Sequence, residues 1–170
     1  DAAGNAATQH SSTTFSVDTT APTISGVTAS WGSVLNSIED NSNGTVTIAT
    51  SGAEDGQTVT LVLNSKSYTG TVSSNTTSIT VPAADLQALS ESSTYTLSAD
   101  VSDAAGNAAT QHSSTTFSVD KTAPTAVLSS VADDVGSVVG NLSSGQTTDD
   151  TAVVITGTNE AGSTVDVYSG

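Results

Sequence analysis

The sequence contains no cysteine, methionine or arginine, and its two basic side chains, Lys66 and Lys121, stand against 17 Asp and Glu. Without cysteine there is neither a disulfide framework nor a thiolate zinc site. With a formal net charge of −15 the chain is repelled by phosphate backbones and anionic lipid, which excludes nucleic acid as a partner. No apolar run is long enough to span a bilayer, so membrane insertion is not expected. No leader sequence is legible, as expected of a piece cut from a longer chain. Catalytic groups are also scarce. The two histidines, His10 and His112, sit in Ser/Thr-rich stretches and read as solvent-facing strand residues, and there is neither a G-x-S-x-G elbow nor a metal-binding His pair. A nucleophile, a base and an orienting acid are not assembled, so the chain is not expected to be an enzyme.

What is present is a repeat. Residues 1–18, DAAGNAATQHSSTTFSVD, recur unchanged as residues 103–120, and the step from Asp1 to Asp103 sets a period of 102 residues. That is the size of one immunoglobulin-type two-sheet sandwich. The expected organisation is the C-terminal strand of a preceding repeat (1–18), a complete repeat (19–120), and the N-terminal part of a divergent following repeat (121–170). Each is an all-β, immunoglobulin-like antiparallel β-sandwich of about seven strands when complete, arranged in tandem, and both ends read as cuts through an array.

Period-two alternation broken by Gly, Asn, Ser and Asp predicts the strands of the complete repeat. They fall near Thr23–Ala29, Thr45–Thr50, Thr58–Leu63, Tyr68–Val72, Ser78–Val81, Thr94–Ser102 and Ala108–Val119, designated A to G. Val46, Ile48, Val59, Leu61 and Leu63 face one core while the intervening threonines face water. Pro82–Leu89 predicts a turn or two of helix between E and F, with proline where a missing N–H costs least. Tyr95, at the start of F, fits a tyrosine corner that pins the E–F crossover. In the following repeat, Val131–Gly136 and Thr147–Thr151 read as parts of a long A–B loop. Glu160-Ala-Gly162-Ser-Thr-Val165 matches Glu54-Asp-Gly56-Gln-Thr-Val59.

A carboxylate in a loop reads first as a solvated turn former, and DAAGN as a turn closed by its Asp and Gly. Topology changes the weighing. In a seven-strand sandwich the B–C and F–G loops lie at the end where the chain comes in, and the A–B and E–F loops at the end where it leaves. Asp18, Glu54, Asp55, Asp103 and Asn107 therefore gather at the upstream end, with no basic partner in sequence. Glu39, Asp40 and Asp120 gather at the downstream end, where Glu160 of the next repeat approaches the same junction. Asp133, Asp134, Asp149 and Asp150 make a further candidate site in the A–B loop of the third repeat. Hard oxygen donors in such numbers suit Ca2+ better than zinc or copper. Asp85, Glu91, Asp100 and Asp166 read as surface residues.

Four strings carry a family resemblance: Val119-Asp-Lys-Thr-Ala-Pro124 with Val17-Asp-Thr-Thr-Ala-Pro22, Asp103-Ala-Ala-Gly-Asn107, Gly52-Ala-Glu-Asp-Gly56 and Thr148-Asp-Asp-Thr151. Together they resemble the bacterial immunoglobulin-like repeats of giant RTX adhesins, over nearly the whole chain. The resemblance implies export by type I secretion to the Gram-negative cell surface and a role as extender repeats in cell adhesion or biofilm formation. It also implies calcium at the junctions, with Asp18, Glu54, Asp103 and Asp120 at the binding positions. Adjacent repeats of the same chain are the implied partners, and other domains of the parent protein bind its ligand. The glycine-rich nonapeptides of the RTX secretion domain are absent from this stretch, as is any recognisable ligand-binding module. The competing reading is a glycan- or ice-binding sandwich displaying Thr45, Thr47 and Thr50, or Thr58 and Thr60. Against it, threonine is favoured on any half-exposed strand.

Overall fold

The structure of the chain, a computed structural model, describes residues 1–8, 13–137 and 139–168, with the backbone alone at Ser113 and Ser114. His10 lies outside the described residues. The chain divides into two units, Asp1–Lys121 and Thr122–Gly170.

Among the described residues, the first unit has eight strands. These are β1 (Thr23–Ala29), β2 (Val34–Leu35), β3 (Gly44–Ser51), β4 (Thr58–Leu63), β5 (Lys66–Thr71), β6 (Thr76–Val81), β7 (Thr94–Val101) and β8 (His112–Val119). One sheet has the order β1-β3-β6 and the other β2-β8-β7-β4-β5. All pairs are antiparallel except β2 with β8, where Val34 and Leu35 run parallel to Ser118 and Val119. The unit is an immunoglobulin-like β-sandwich, and its A, B and E strands face G, F and C across one core.

The alternation read from the sequence explains why these segments pair. On β3, Val46 and Ile48 are fully buried, on β4 Val59, Leu61 and Leu63, and on β7 Leu97 and Ala99. Burying each such side chain stabilises the fold by about 1.5–3 kcal/mol, against an ordering entropy of similar size. Trp31, just past β1, is buried and meets Phe117 of β8 edge-on, with ring centroids 5.3 Å apart at 69°. A short helix, α1 (Ala83–Gln87), follows Pro82, and a 3-10 turn spans Glu39–Asn41.

Several boundaries differ from expectation. Strand G begins at His112 rather than Ala108, because Ala108 makes only an isolated bridge to Ser102. Strand β5 pairs with β4 across a tight turn in which Asn64 and Ser65 both take positive φ. Residues 13–18, identical to 115–120, carry no strand. Phe15 is 87% exposed where its counterpart Phe117 is 2% exposed. A strand needs a neighbouring strand for its backbone groups, and among the described residues none pairs with this segment.

The second unit holds β9 (Val127–Asp133), β10 (Gly140–Asn141) and β11 (Val154–Thr158), in the sheet order β10-β9-β11. Val131–Asp133, expected in a loop, belongs to β9 and pairs with both neighbours. No strand forms at Thr164–Val167, although Thr164 and Val165 match Thr58 and Val59 at the start of β4. The apolar face of this sheet surrounds an open hollow of about 780 Å³ lined by Val127, Ile155, Val165 and Tyr168.

Candidate cation sites at the sandwich ends

The upstream end is built on a turn that its own five residues encode. Asp103 Oδ1 accepts the Asn107 backbone N–H at 2.8 Å, and Oδ2 accepts the Asn107 side-chain amide at 2.8 Å. The Gly106 N–H reaches Asp103 O at 3.1 Å, and Gly106 takes φ +91°, which glycine adopts without strain. The same turn forms at Asp1–Asn5, where no sandwich surrounds it. There Asp1 Oδ1 accepts from Asn5 N at 3.0 Å, Oδ2 from Asn5 Nδ2 at 2.9 Å, and Gly4 N reaches Asp1 O at 3.0 Å. The turn is therefore a local property of DAAGN. The Asn107 amide, with further backbone N–H donors, holds the Asp103 carboxyl below the usual carboxylate range, against a smaller opposing effect of burial.

Other segments converge on this turn. Glu54, from the β3–β4 loop, accepts the Ala104 N–H through Oε2 at 2.8 Å, and the Asn107 amide donates to the Asp18 carbonyl at 3.2 Å. Glu54, Asp103, Asn107 and the backbone of Asp18 thus meet as expected. Two details depart from the expectation. The Asp18 carboxylate turns back to its own linker, where Oδ1 accepts from Thr20 N at 2.9 Å. Asp55 faces away and accepts the Ser74 N–H at 2.7 Å, because the β5–β6 turn lies beside it.

At the downstream end, Glu39 Oε2 accepts the Asn36 N–H at 3.1 Å, and the Asp120 N–H donates to Leu35 O at 3.0 Å. Asp40 is buried and has a basic partner. Lys121 Nζ stands 3.3 Å from Asp40 Oδ2. The same ammonium donates to the carbonyls of Leu86 (3.3 Å), Gln87 (3.0 Å) and Leu89 (3.0 Å). Glu91, read as a surface residue, accepts the Lys121 backbone N–H at 2.8 Å. Asp85 is likewise more than surface: Lys66 bonds to its Oδ1, and the Tyr68 hydroxyl donates to Oδ2 at 2.8 Å.

In the second unit, Asp133 is buried and accepts from Val135 N at 3.0 Å and Thr148 Oγ1 at 2.6 Å. The Asp149 carboxylate lies against Gly136, where a Cβ would overlap it. Asp150 Oδ1 accepts from Ala152 N at 2.7 Å, while its Oδ2 is buried without a hydrogen-bond partner. Asp134 is exposed. Ser163 N reaches Glu160 O at 3.2 Å, as Gln57 N reaches Glu54 O at 3.2 Å, so the matched Glu-x-Gly turns fold alike. Among the described residues, no three His, Asp or Glu side chains close into a group that would hold a metal by themselves. Of the two threonine ranks, the one of Thr45, Thr47 and Thr50 is interrupted, since Thr50 is buried.

No family model and no curated protein matches the chain. Solved structures do. It is 32% identical to a 1.5-MDa bacterial ice-binding adhesin, with a TM-score of 0.43, over 59% of this chain and 32% of that one. It is 34% identical to a Ca2+-stabilized adhesin with which an Antarctic bacterium binds ice, with a TM-score of 0.46, over 79% of this chain and 33% of that one. A bacterial immunoglobulin-like domain from the M. primoryensis ice-binding adhesin is 32% identical, with a TM-score of 0.42, over 55% of this chain and 95% of that one. The chain thus spans about a third of the first two structures.

Proposed function

We propose that this chain is a run of structural spacer repeats from a large bacterial surface adhesin, stiffened by calcium bound at the loop ends of its sandwiches. The observation that carries the reading is the unchanged 18-residue segment at a spacing of one sandwich. It supplies both the Asp103–Asn107 turn of one repeat and, as residues 1–18, the linker Asp18 whose carbonyl that turn's asparagine bonds. A spacer repeats its joint, whereas a specific binding site needs one copy.

The upstream end offers hard donors in the number calcium uses, about six to eight oxygens once carbonyls and water are added. Glu54, Asp103, the Asn107 amide oxygen and Asp18 would hold the ion. In the second unit Asp133, Asp149 and Asp150 would hold another, and the orphaned Asp150 Oδ2 fits an oxygen awaiting a cation. A bound divalent ion would offset repulsion among carboxylates in a chain of charge −15 and cross-link the loops that carry them. Under this reading the protein is exported to the surface of a Gram-negative cell, its neighbours are further repeats, and a distal domain binds the ligand.

The test is calcium titration of the full chain by calorimetry, with thermal unfolding in calcium and in chelator. We expect saturable binding and a higher melting temperature with calcium. No binding heat and superimposable melting curves would refute the calcium claim.

A further inference from the structure

We infer that the downstream end of the complete unit carries its own cation: the Lys121 ammonium fills the oxygen cage in which a metal ion would otherwise sit. The residues here do not fit calcium as they stand. Four oxygens face Lys121 Nζ, the carbonyls of Leu86, Gln87 and Leu89 at 3.0–3.3 Å and Asp40 Oδ2 at 3.3 Å. An ammonium has three protons and no acceptor, so it matches a cage made only of acceptors. Leu86 and Gln87 end α1 and Leu89 lies just past it; Leu86 O also accepts the Leu89 N–H at 3.1 Å, and the last carbonyls of a helix have no i+4 donor of their own to saturate them. Asp40 would be a buried carboxylate with no counter-charge if Lys121 were absent, which is costly. The lysine is also anchored at its backbone, since its N–H donates to Glu91 and the preceding N–H donates to Leu35 O.

The repeat itself supplies the comparison. Val17-Asp-Thr-Thr-Ala-Pro22 and Val119-Asp-Lys-Thr-Ala-Pro124 differ at one position, Thr19 against Lys121. A threonine side chain is too short to take the place of the ammonium among four oxygens. Lysine after the linker Asp thus closes a joint with a tethered ammonium, whereas threonine at that position supplies no ammonium to exclude a metal ion. The inference uses the calcium reading only to name the ion displaced.

The experiment is Lys121→Thr in the full chain, melted in chelator and in calcium beside the wild type. In chelator the variant is expected to melt about 10 °C lower, as the loss of charge-assisted bonds in a domain of this size implies. Calcium is expected to restore more of the melting temperature in the variant than it adds to the wild type, and calorimetry to count one additional ion. Asp40→Asn in the variant background removes that additional ion. Asp40→Asn alone leaves the wild-type calcium response unchanged, because the lysine still fills the cage. The inference is overturned if Lys121→Thr gains no more from calcium than the wild type does. It is overturned equally if Asp40→Asn alone abolishes the wild-type response. If the wild type binds no calcium at all, the reading of the upstream end fails, while the gain in Lys121→Thr still decides this one. Should Lys121→Thr not fold, the single Asp40→Asn result decides it.

Discussion

The backbone N–H of Ser90 donates to the Tyr95 hydroxyl at 2.9 Å, tying the loop after α1 to the start of β7. This is the tyrosine corner expected from sequence, and it holds the E–F crossover over the sandwich while the ring packs near Phe117, with centroids 6.0 Å apart. Tyr95→Phe keeps the ring and removes the acceptor. We expect a melting temperature several degrees lower by calorimetry, with faster amide exchange at Ser90 and unchanged exchange in β3 and β4.

Gly44 opens β3 directly beneath the Trp31 ring. A Cβ there would overlap Trp31 Cζ3 and lie 2.7 Å from Cε3 and 3.0 Å from Leu86 Cδ1. Gly44→Ala should cost about 1–3 kcal/mol through overpacking, read by urea unfolding. The emission of Trp31, the sole tryptophan, should shift to the red as the ring is pushed toward solvent.

Tyr68, Asp85 and Lys66 join β5 to α1 and should leave a signature at both ends of the pH scale. Burial, with Asp85 beside it, pushes the Tyr68 phenol up to about 12. Its contribution to stability is complete below the ordinary tyrosine value of about 10 and is lost as pH rises through 12. Bonds from Lys66 and Tyr68 hold the Asp85 carboxyl below its usual range, so its contribution is complete above about 3.9 and is lost as pH falls through the depressed value. An alkaline absorbance titration should show one late-ionising tyrosine, absent in Tyr68→Phe and moved back toward 10 in Asp85→Asn.

The DAAGN turn should survive outside the protein. A peptide of residues 103–107 is expected to show the slowed Asn side-chain amide exchange that the Asp–Asn bonds produce, and replacing its Asp by Ala should abolish it. In the whole chain, the depressed Asp103 carboxyl keeps the turn closed through the ordinary carboxylate range, and the turn opens only as pH falls through the lower folded value. Side-chain amide resonances of Asn107 followed against pH check both the sign and the window.

How much of this was legible in sequence depends on how local each feature is. The alternation on β3 and β4 placed Val46, Ile48 and Leu61 in the core because that signal is complete within a few residues, and the repeat period read with sandwich topology placed Asp103 and Asp18 at one end. Strand β2 was missed, since two residues carry no period. The partners of Asp40 and Asp85 were missed because Lys121 and Lys66 lie far from them in sequence and meet them only after both sheets and α1 have packed. Asp55 was placed at the upstream end by its loop, yet its side chain follows the neighbouring β5–β6 turn to Ser74. Sequence assigns a loop to an end of the sandwich, whereas the direction of a side chain within that loop is decided by whichever backbone donor stands closest.

The parallel pairing of β2 with β8 bears on how the repeat responds to load. The chain enters the sandwich at β1, and β8 is the last strand before it leaves. The Ser118 N–H bonds Ser33 O and the Asp120 N–H bonds Leu35 O, each at 3.0 Å. Tension applied along the chain slides β8 past β2 lengthwise, so these bonds are strained together in shear and cannot be peeled apart one at a time. The two-residue strand β2 is thus the one that holds the exit strand of the unit.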